Sequence, residues 1–226
     1  MKTIFKFFKR LVLIFLLLSF GMVFLYKFVP VPATPLMVAR LFEQKANGKE
    51  LKWKHEWIAI DEMPISIQKA VIASEDGKFT SHNGFDFKSI QKAYESNQKS
   101  KKLRGGSTIS QQTAKNVFLW QDKTYIRKGI EAYFTVLIEW IWGKERIIEV
   151  YLNSIEMGDG VYGIEAASKH WFGKSAKNLS KREAAAIAAI LPNPRKFKAK
   201  NGSAYIQKRI NFISRQMDLY AHPKYN

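Results

Sequence analysis

A chain of 226 residues with 46% hydrophobic, 14% aromatic and 25% charged side chains can bury a sizeable core, which excludes peptide, disordered and low-complexity classes. It contains no cysteine, so disulfides, thiolate metal sites, iron–sulfur clusters and cysteine nucleophiles are excluded together. Thirty-seven Lys and Arg against 19 Asp and Glu give a formal charge of +18, which selects polyanionic partners: nucleic acid, anionic lipid or a phosphorylated substrate.

Lys2, Lys6, Lys9 and Arg10 precede an apolar run over residues 11–29 that only Lys27 interrupts. Nineteen helical residues reach about 28 Å, the thickness of a bilayer core. A cleavable signal peptide is the rival reading, but its apolar core is about 7 to 15 residues before small residues, and here Val29-Pro30-Val31-Pro32 follows. An uncleaved anchor is therefore expected, with residues 1–10 in the cytoplasm by the positive-inside rule and the remainder exported. Lys27 can snorkel to the outer interface. The exported part keeps 32 cations against 19 acids. Outside the membrane DNA is an improbable partner, so this surplus points to lipid headgroups or a phosphate-bearing membrane substrate, with a solubilising basic surface as the plain alternative.

Three prolines between Val29 and Pro35 predict an extended linker, and Leu36 to Ile60 is a mixed segment without a clear period; together residues 30–54 form a membrane-proximal stretch. Ile67, Ala70, Val71 and Ser74 predict a helix over 64–75, with Pro64 at its first position. Thr108 with Gln111 and Ser180 with Glu183 have capping-box spacing, and Pro192 and Pro194 stop the alanine-rich helix that the second box opens. Residues 126–142 and 145–152 predict two helices around Gly143, and Ile206, Ile210, Ile213 and Met217 a last amphipathic one. No run alternates convincingly like a strand, and the glycines at 105–106 and 158–163 are expected in loops. The fold class predicted for residues 55–226 is all-α, as one domain.

Glu75 and Asp76 end the first exported helix and lead to Phe79, His82 and Gly84. The negative end of a helix dipole and partial burial both favour the protonated carboxyl, which suits a general acid or base; a solvated helix end is the plain alternative. His82 is expected to brace the turn rather than ligate a metal. Lys99, Lys101, Lys102 and Arg104 crowd the approach to Gly105-Gly106, after which Thr108, Gln112 and Lys115 share a helix face. A basic loop running into a helix N-terminus suits a phosphate, although the nucleotide-loop glycine pattern is missing. Arg127, Lys128 and Glu131 place cations and a carboxylate on one face, which an ordinary surface ion pair also explains. Glu149 lies among apolar neighbours and reads first as a scaffold, and Lys174 could reach an anion while Trp171 and Phe172 fill the core. Phe118, Leu119 and Trp120 fit either bilayer contact or core packing.

Taken in order, five strings resemble the successive motifs of the peptidoglycan glycosyltransferases, glycosyltransferase family 51. They are Glu75-Asp76 with Phe79, His82 and Gly84; Gly106 to Gln112 with Lys115-Asn116; Arg127-Lys128 with Glu131; Glu149 to Asn153; and Gly163 through Phe172-Gly173-Lys174. The resemblance spans about residues 55–195. Ser110 stands where the family often has threonine and Trp171 where it often has tyrosine. A single anchor with no transpeptidase segment after it resembles the monofunctional branch.

The resemblance implies a lysozyme-like domain in the periplasm, held at the bacterial inner membrane, that polymerises lipid II into a growing glycan strand. It implies that Glu75 deprotonates the 4-hydroxyl of the acceptor and that Glu131 is a second motif acid, which either orients the basic cluster or assists the leaving group directly. It implies that Asp76, Phe79, His82, Thr108, Gln111, Gln112, Asn116 and Glu149 shape the substrate sites, while Lys115, Arg127, Lys128 and Lys174 support the departing pyrophosphate. It implies no organic cofactor, allows magnesium or manganese as an assistant, and suggests cell-wall synthesis or division proteins as partners beside membrane lipids. Two rivals use the same residues: a lytic glycosidase with Glu75 as general acid, distinguished by strand scission, and a noncatalytic scaffold indifferent to Glu75→Gln.

Overall fold

The computed structural model of the chain describes residues 2–99, 105–122, 124–220, 223 and 225. Lys101, Lys102 and Arg104 of the expected basic loop lie outside the described residues, as does the side chain of Lys99.

The first element, α1, runs Lys2–Phe28, so the helix begins nine residues before the apolar run and carries the leading cations within it. Its apolar side chains are exposed almost throughout, and by length and composition it fits a single-pass membrane anchor. Only Ser19 and Val23 of α1 are buried. The mixed segment resolves into a helix, α2 (Pro35–Ala46), which begins by the rules for helix starts: Thr34 caps Met37 N and Pro35 takes the first turn. Then come strand β1 (Lys54–His55), α3 (Ile65–Glu75) and α4 (Phe87–Lys99). Pro64 caps α3 rather than opening it. Both capping boxes form as expected, at the starts of α5 (Ile109–Phe118) and, later, α9 (Lys181–Ile190).

After α6 (Tyr125–Ile141) and α7 (Gly143–Ser154), the glycine-rich stretch is a hairpin of β2 (Glu156–Gly158) and β3 (Val161–Tyr162), not a loop. β3 pairs antiparallel with β2 and parallel with β1, giving the order β1-β3-β2. At three and two residues, these strands are too short for alternation to show in the sequence. Gly163 closes the hairpin at φ +77, where a Cβ would lie 2.6 Å from the Asn153 carbonyl oxygen. The chain ends with α8 (Ile164–Phe172), α9 and α10 (Ala204–Gln216).

Two packed groups surround the core. Residues 184–190 of α9 are all buried, and their alanines let α9 lie against both α3 and α10. α5 packs on α6 and α7, where the half-buried Phe118 stacks on Phe134 at 4.5 Å; Leu119 is buried, whereas Trp120 is exposed. Core packing therefore accounts for two of those three residues. α1 lies along α6: Ser19 Oγ meets Tyr133 OH at 2.7 Å and Trp142 donates to Val23 O at 2.7 Å. Arg146 on α7 donates to the carbonyls of Tyr26 and Val29, orphan acceptors at the helix end.

Asn153 joins α7 to the preceding loop, donating to Ile58 O at 2.8 Å and accepting from Ile58 N at 3.0 Å while fully buried. Asn153→Ala strands both backbone groups at about 1–3 kcal/mol each. The expected result is a fall in Tm of about 5 °C or more for the full chain in detergent, read by calorimetry.

Candidate active site

Glu75 is the last residue of α3, half-buried, and it opens into a cleft of about 450 Å³ lined by Asp76, Lys78, Asp86, residues 105–108 and Tyr220. Its carboxylate accepts from Ser74 Oγ at 3.2 Å and from Gln112 Nε2 at 3.1 Å. Gln112 Oε1 in turn accepts from Tyr151 OH at 3.4 Å. Tyr151 is fully buried, and burial together with Glu75 and Asp76 pushes its phenol well above the ordinary range, so it remains a donor. Nothing local in the sequence marks Ser74, Tyr151 or Tyr220 as site residues.

Asp76 is buried and structural. His82 Nε2 lies 3.0 Å from each of its oxygens, and Ile109 N donates to Oδ2 at 3.0 Å. This ties the α3 end to the α5 start and gives His82 the bracing part expected of it. A Cβ at Gly77 would lie 2.6 Å from Tyr220 OH, so a side chain there would displace the Tyr220 ring from the cleft wall. Asp86, across the cleft, is held at about 2 by the hydroxyl and amide of Ser89.

The helix N-terminus expected to grip a phosphate is already occupied. Ile109 N goes to Asp76 and Gln111 N to Thr108 Oγ1, while Thr108 Oγ1 donates to Gly84 O at 2.6 Å. Thr108 and Gln111 thus shape the loop from within, and Asn116 is buried on the same helix. Cations stand instead on side chains of α5 and α6. Lys115 lies one turn beyond Gln112, half-buried, and near Arg127, Lys128 and Glu131. Burial pushes the Lys115 ammonium down from 10.5; Glu131 opposes this, and Arg127 and Lys128 reinforce it.

Glu131 is no surface partner: the residue is 2% exposed. Arg127 Nη1 meets Oε2 at 2.5 Å and Lys128 Nζ meets Oε1. Lys128 also reaches Ser107 Oγ at 3.5 Å, on the cleft wall. The i,i+4 spacing is met, but the helix turns that face inward.

Three expected site residues stand elsewhere. Phe79 is fully buried under the Lys144 ammonium, 4.7 Å from its ring, and is core. Glu149 is buried, accepts from Ile60 N at 3.1 Å and pairs with Arg146 at 2.5 Å, so it ties α7 to the loop and, through Arg146, to the anchor. Lys174 pairs with Glu183 at 2.7 Å in the first turn of α9, whereas Ser74 meets that helix at its other end, at Ala188. Among the described residues no cluster of three His, Asp or Glu is placed to hold a metal. Asp76 and Glu131 have both oxygens engaged within the chain, so neither is free to ligate a divalent cation.

The structure is a mainly helical domain with a cleft-facing carboxylate and one N-terminal helix that fits a single-pass membrane anchor. Residues 43–218 match the transglycosylase family, a longer stretch than the five motifs span. The chain belongs to that family and is a transglycosylase. It is 51% identical over 218 residues to a biosynthetic peptidoglycan transglycosylase of Bacteroides thetaiotaomicron, covering 96% of this chain and 88% of that one. Proteins of the same description from Bdellovibrio bacteriovorus and Pseudomonas fluorescens SBW25 are 53% identical over 213 residues and 46% over 217, covering 92% and 96% of this chain and 85% and 90% of theirs.

Proposed function

We propose that this transglycosylase builds cell-wall glycan by polymerising lipid II, with undecaprenyl pyrophosphate as the leaving group and inversion at the donor anomeric carbon. The observation that carries the reading is that Glu75 opens on the same cleft whose wall, at Ser107, Lys128 reaches, with Lys115 one turn beyond the Gln112 that holds Glu75. Glu75 takes the proton of the acceptor 4-hydroxyl while that oxygen bonds to donor C1; the C1–O bond to pyrophosphate breaks and its electron pair leaves with the phosphate. Ser74 and Gln112 hold the carboxylate for that proton. Lys115, Arg127 and Lys128 against Glu131 and the more distant Asp122 leave a net positive charge for the phosphate charge that grows in the transition state. A lytic glycosidase has no use for that surplus.

Glu131, with both oxygens taken by cations, is a positioning residue for them rather than the proton carrier. The reaction needs no organic cofactor, since the pyrophosphate is already a good leaving group. The anchor and its leading cations support residence in the bacterial inner membrane with the N-terminus in the cytoplasm and the domain in the periplasm. Because the chain has no cysteine, Lys2→Cys and Lys200→Cys report topology directly: an impermeant thiol reagent added from the periplasm labels only the second.

Labelled lipid II incubated with the full chain in detergent is expected to yield polymer; strand cleavage without growth, or no polymer, overturns the reading. The pH profile tests Lys115. Its protonated form supports the leaving group and its pKa is depressed, so activity falls on the alkaline side before an ordinary lysine at 10.5 would lose its charge. Lys115→Arg keeps the charge and moves that limb upward.

A further inference from the structure

A second groove, about 370 Å³, lies between the hairpin and residues 194–198 and shares no lining residue with the Glu75 cleft. Lys52, Lys54, Lys196 and Lys198 edge it, and Trp171 and Phe197 supply half-buried rings. Its acids are few: Asp159 is shared by Lys52 at 3.5 Å and Arg195 at 3.3 Å, and Glu50 is the other. Among the described residues Lys54, Lys196 and Lys198 pair with no carboxylate. Burial, then Lys54 and Lys52, push the His170 imidazole below 6.5, as a positive field in the groove requires. The Trp171 ring is fixed in place by donation from Nε1 to Met157 O at 2.8 Å.

We propose that this groove is a second saccharide site, which holds the peptide-bearing glycan product by ring stacking on Trp171 and Phe197 and by contacts from Lys54, Lys196 and Lys198 to its carboxylates. Aromatic faces bordered by unpaired ammonium groups match a strand whose sugars alternate with anionic peptide stems. An anionic bilayer would meet the same lysines. However, α1 ends at Arg146, and α7 separates Arg146 from the hairpin by about 12 Å, which favours the strand. The identity of the ligand rests on the transferase reading, whereas strand binding is measured without turnover.

The test uses the full chain in detergent with fluorescent, lipid-free glycan-peptide strands, which cannot act as donors. Combined Lys54→Glu, Lys196→Glu and Lys198→Glu is expected to weaken strand binding about tenfold or more, with a shallower salt dependence. The milder Lys→Gln set is expected to fall between it and wild type. Strands with amidated carboxylates should bind wild type as poorly as native strands bind the variant, while the first transfer from lipid II proceeds at the wild-type rate. Unchanged strand affinity overturns the proposal, as does a loss confined to anionic vesicles or a loss of the first transfer. Absence of polymer from the wild type would instead refute the transferase reading.

Discussion

Glu75→Gln is expected to lower glycan synthesis by about 10³-fold while Tm stays unchanged within error, read from labelled lipid II and from calorimetry on the same preparation. The amide has the shape of the carboxyl; its oxygen can still accept from Gln112, while its NH2 turns to the Ser74 hydroxyl, which can accept as well as donate, so neither neighbour is stranded. What it cannot do is take a proton. Loss of a positioned general base removes about 10²–10⁴-fold, and the nearby carboxylates are committed: Asp76 to His82 and Ile109, and Glu131 to Arg127 and Lys128. Equal polymer from both proteins would move the base elsewhere or leave a scaffold. Gln112→Ala is the informative companion, since it frees one carboxylate oxygen without removing the base; kcat should fall by about tenfold with KM little changed.

Local signals carry far along this chain, and tertiary ones do not. Thr108 with Gln111 and Ser180 with Glu183 bond within one turn, so spacing alone locates two helix starts. α2 obeys the same chemistry at Thr34 and Pro35, but it buries only Leu36, Met37 and Gln44, too few for a period to show. α4 carries a helical period in Phe87, Ile90 and Tyr94 at i, i+3 and i+7, yet these side chains stay exposed, so the period there marks a helix and not a core face. The hairpin is set by a glycine that its neighbours demand, Gly163 against the Asn153 carbonyl, which spacing cannot reveal.

The site divides in the same way. Glu75 is legible as a helix-terminal acid, but the Tyr151–Gln112–Glu75 chain joins residues far apart in sequence. Residues of one motif also part company in what they do. Within 75–82, Glu75 faces the cleft, Asp76 and His82 lock a turn, and Phe79 fills the core. Glu149 similarly serves the anchor side of α7 rather than the cleft, a distinction that depends on where Arg146 and the end of α1 meet it.

Glu131→Ala is expected to lower stability as well as activity, because it removes the buried carboxylate that Arg127 and Lys128 pair with and that faces Lys115. Arg127 is 8% exposed and would be left buried with only the Asp122 carbonyl and, at 3.7 Å, the Asp122 carboxylate. Breaking such a pair costs about 3–5 kcal/mol, or about 10 °C in Tm for a chain of this size. Adding Arg127→Ala to Glu131→Ala should recover part of that loss, since the orphaned charge goes with its partner, whereas two independent sites would simply add. Activity separates positioning from folding. Glu131 is the group that holds the Lys115 proton on against burial and two neighbouring cations, so Glu131→Gln should shift the alkaline limb of the rate to lower pH while largely preserving Tm. In the Lys115→Arg background the same change should leave that limb in place, because arginine does not titrate there. An unchanged alkaline limb in Glu131→Gln would show that Glu131 does not act through Lys115, and the excess positive charge at the cleft lip would then need another counterweight.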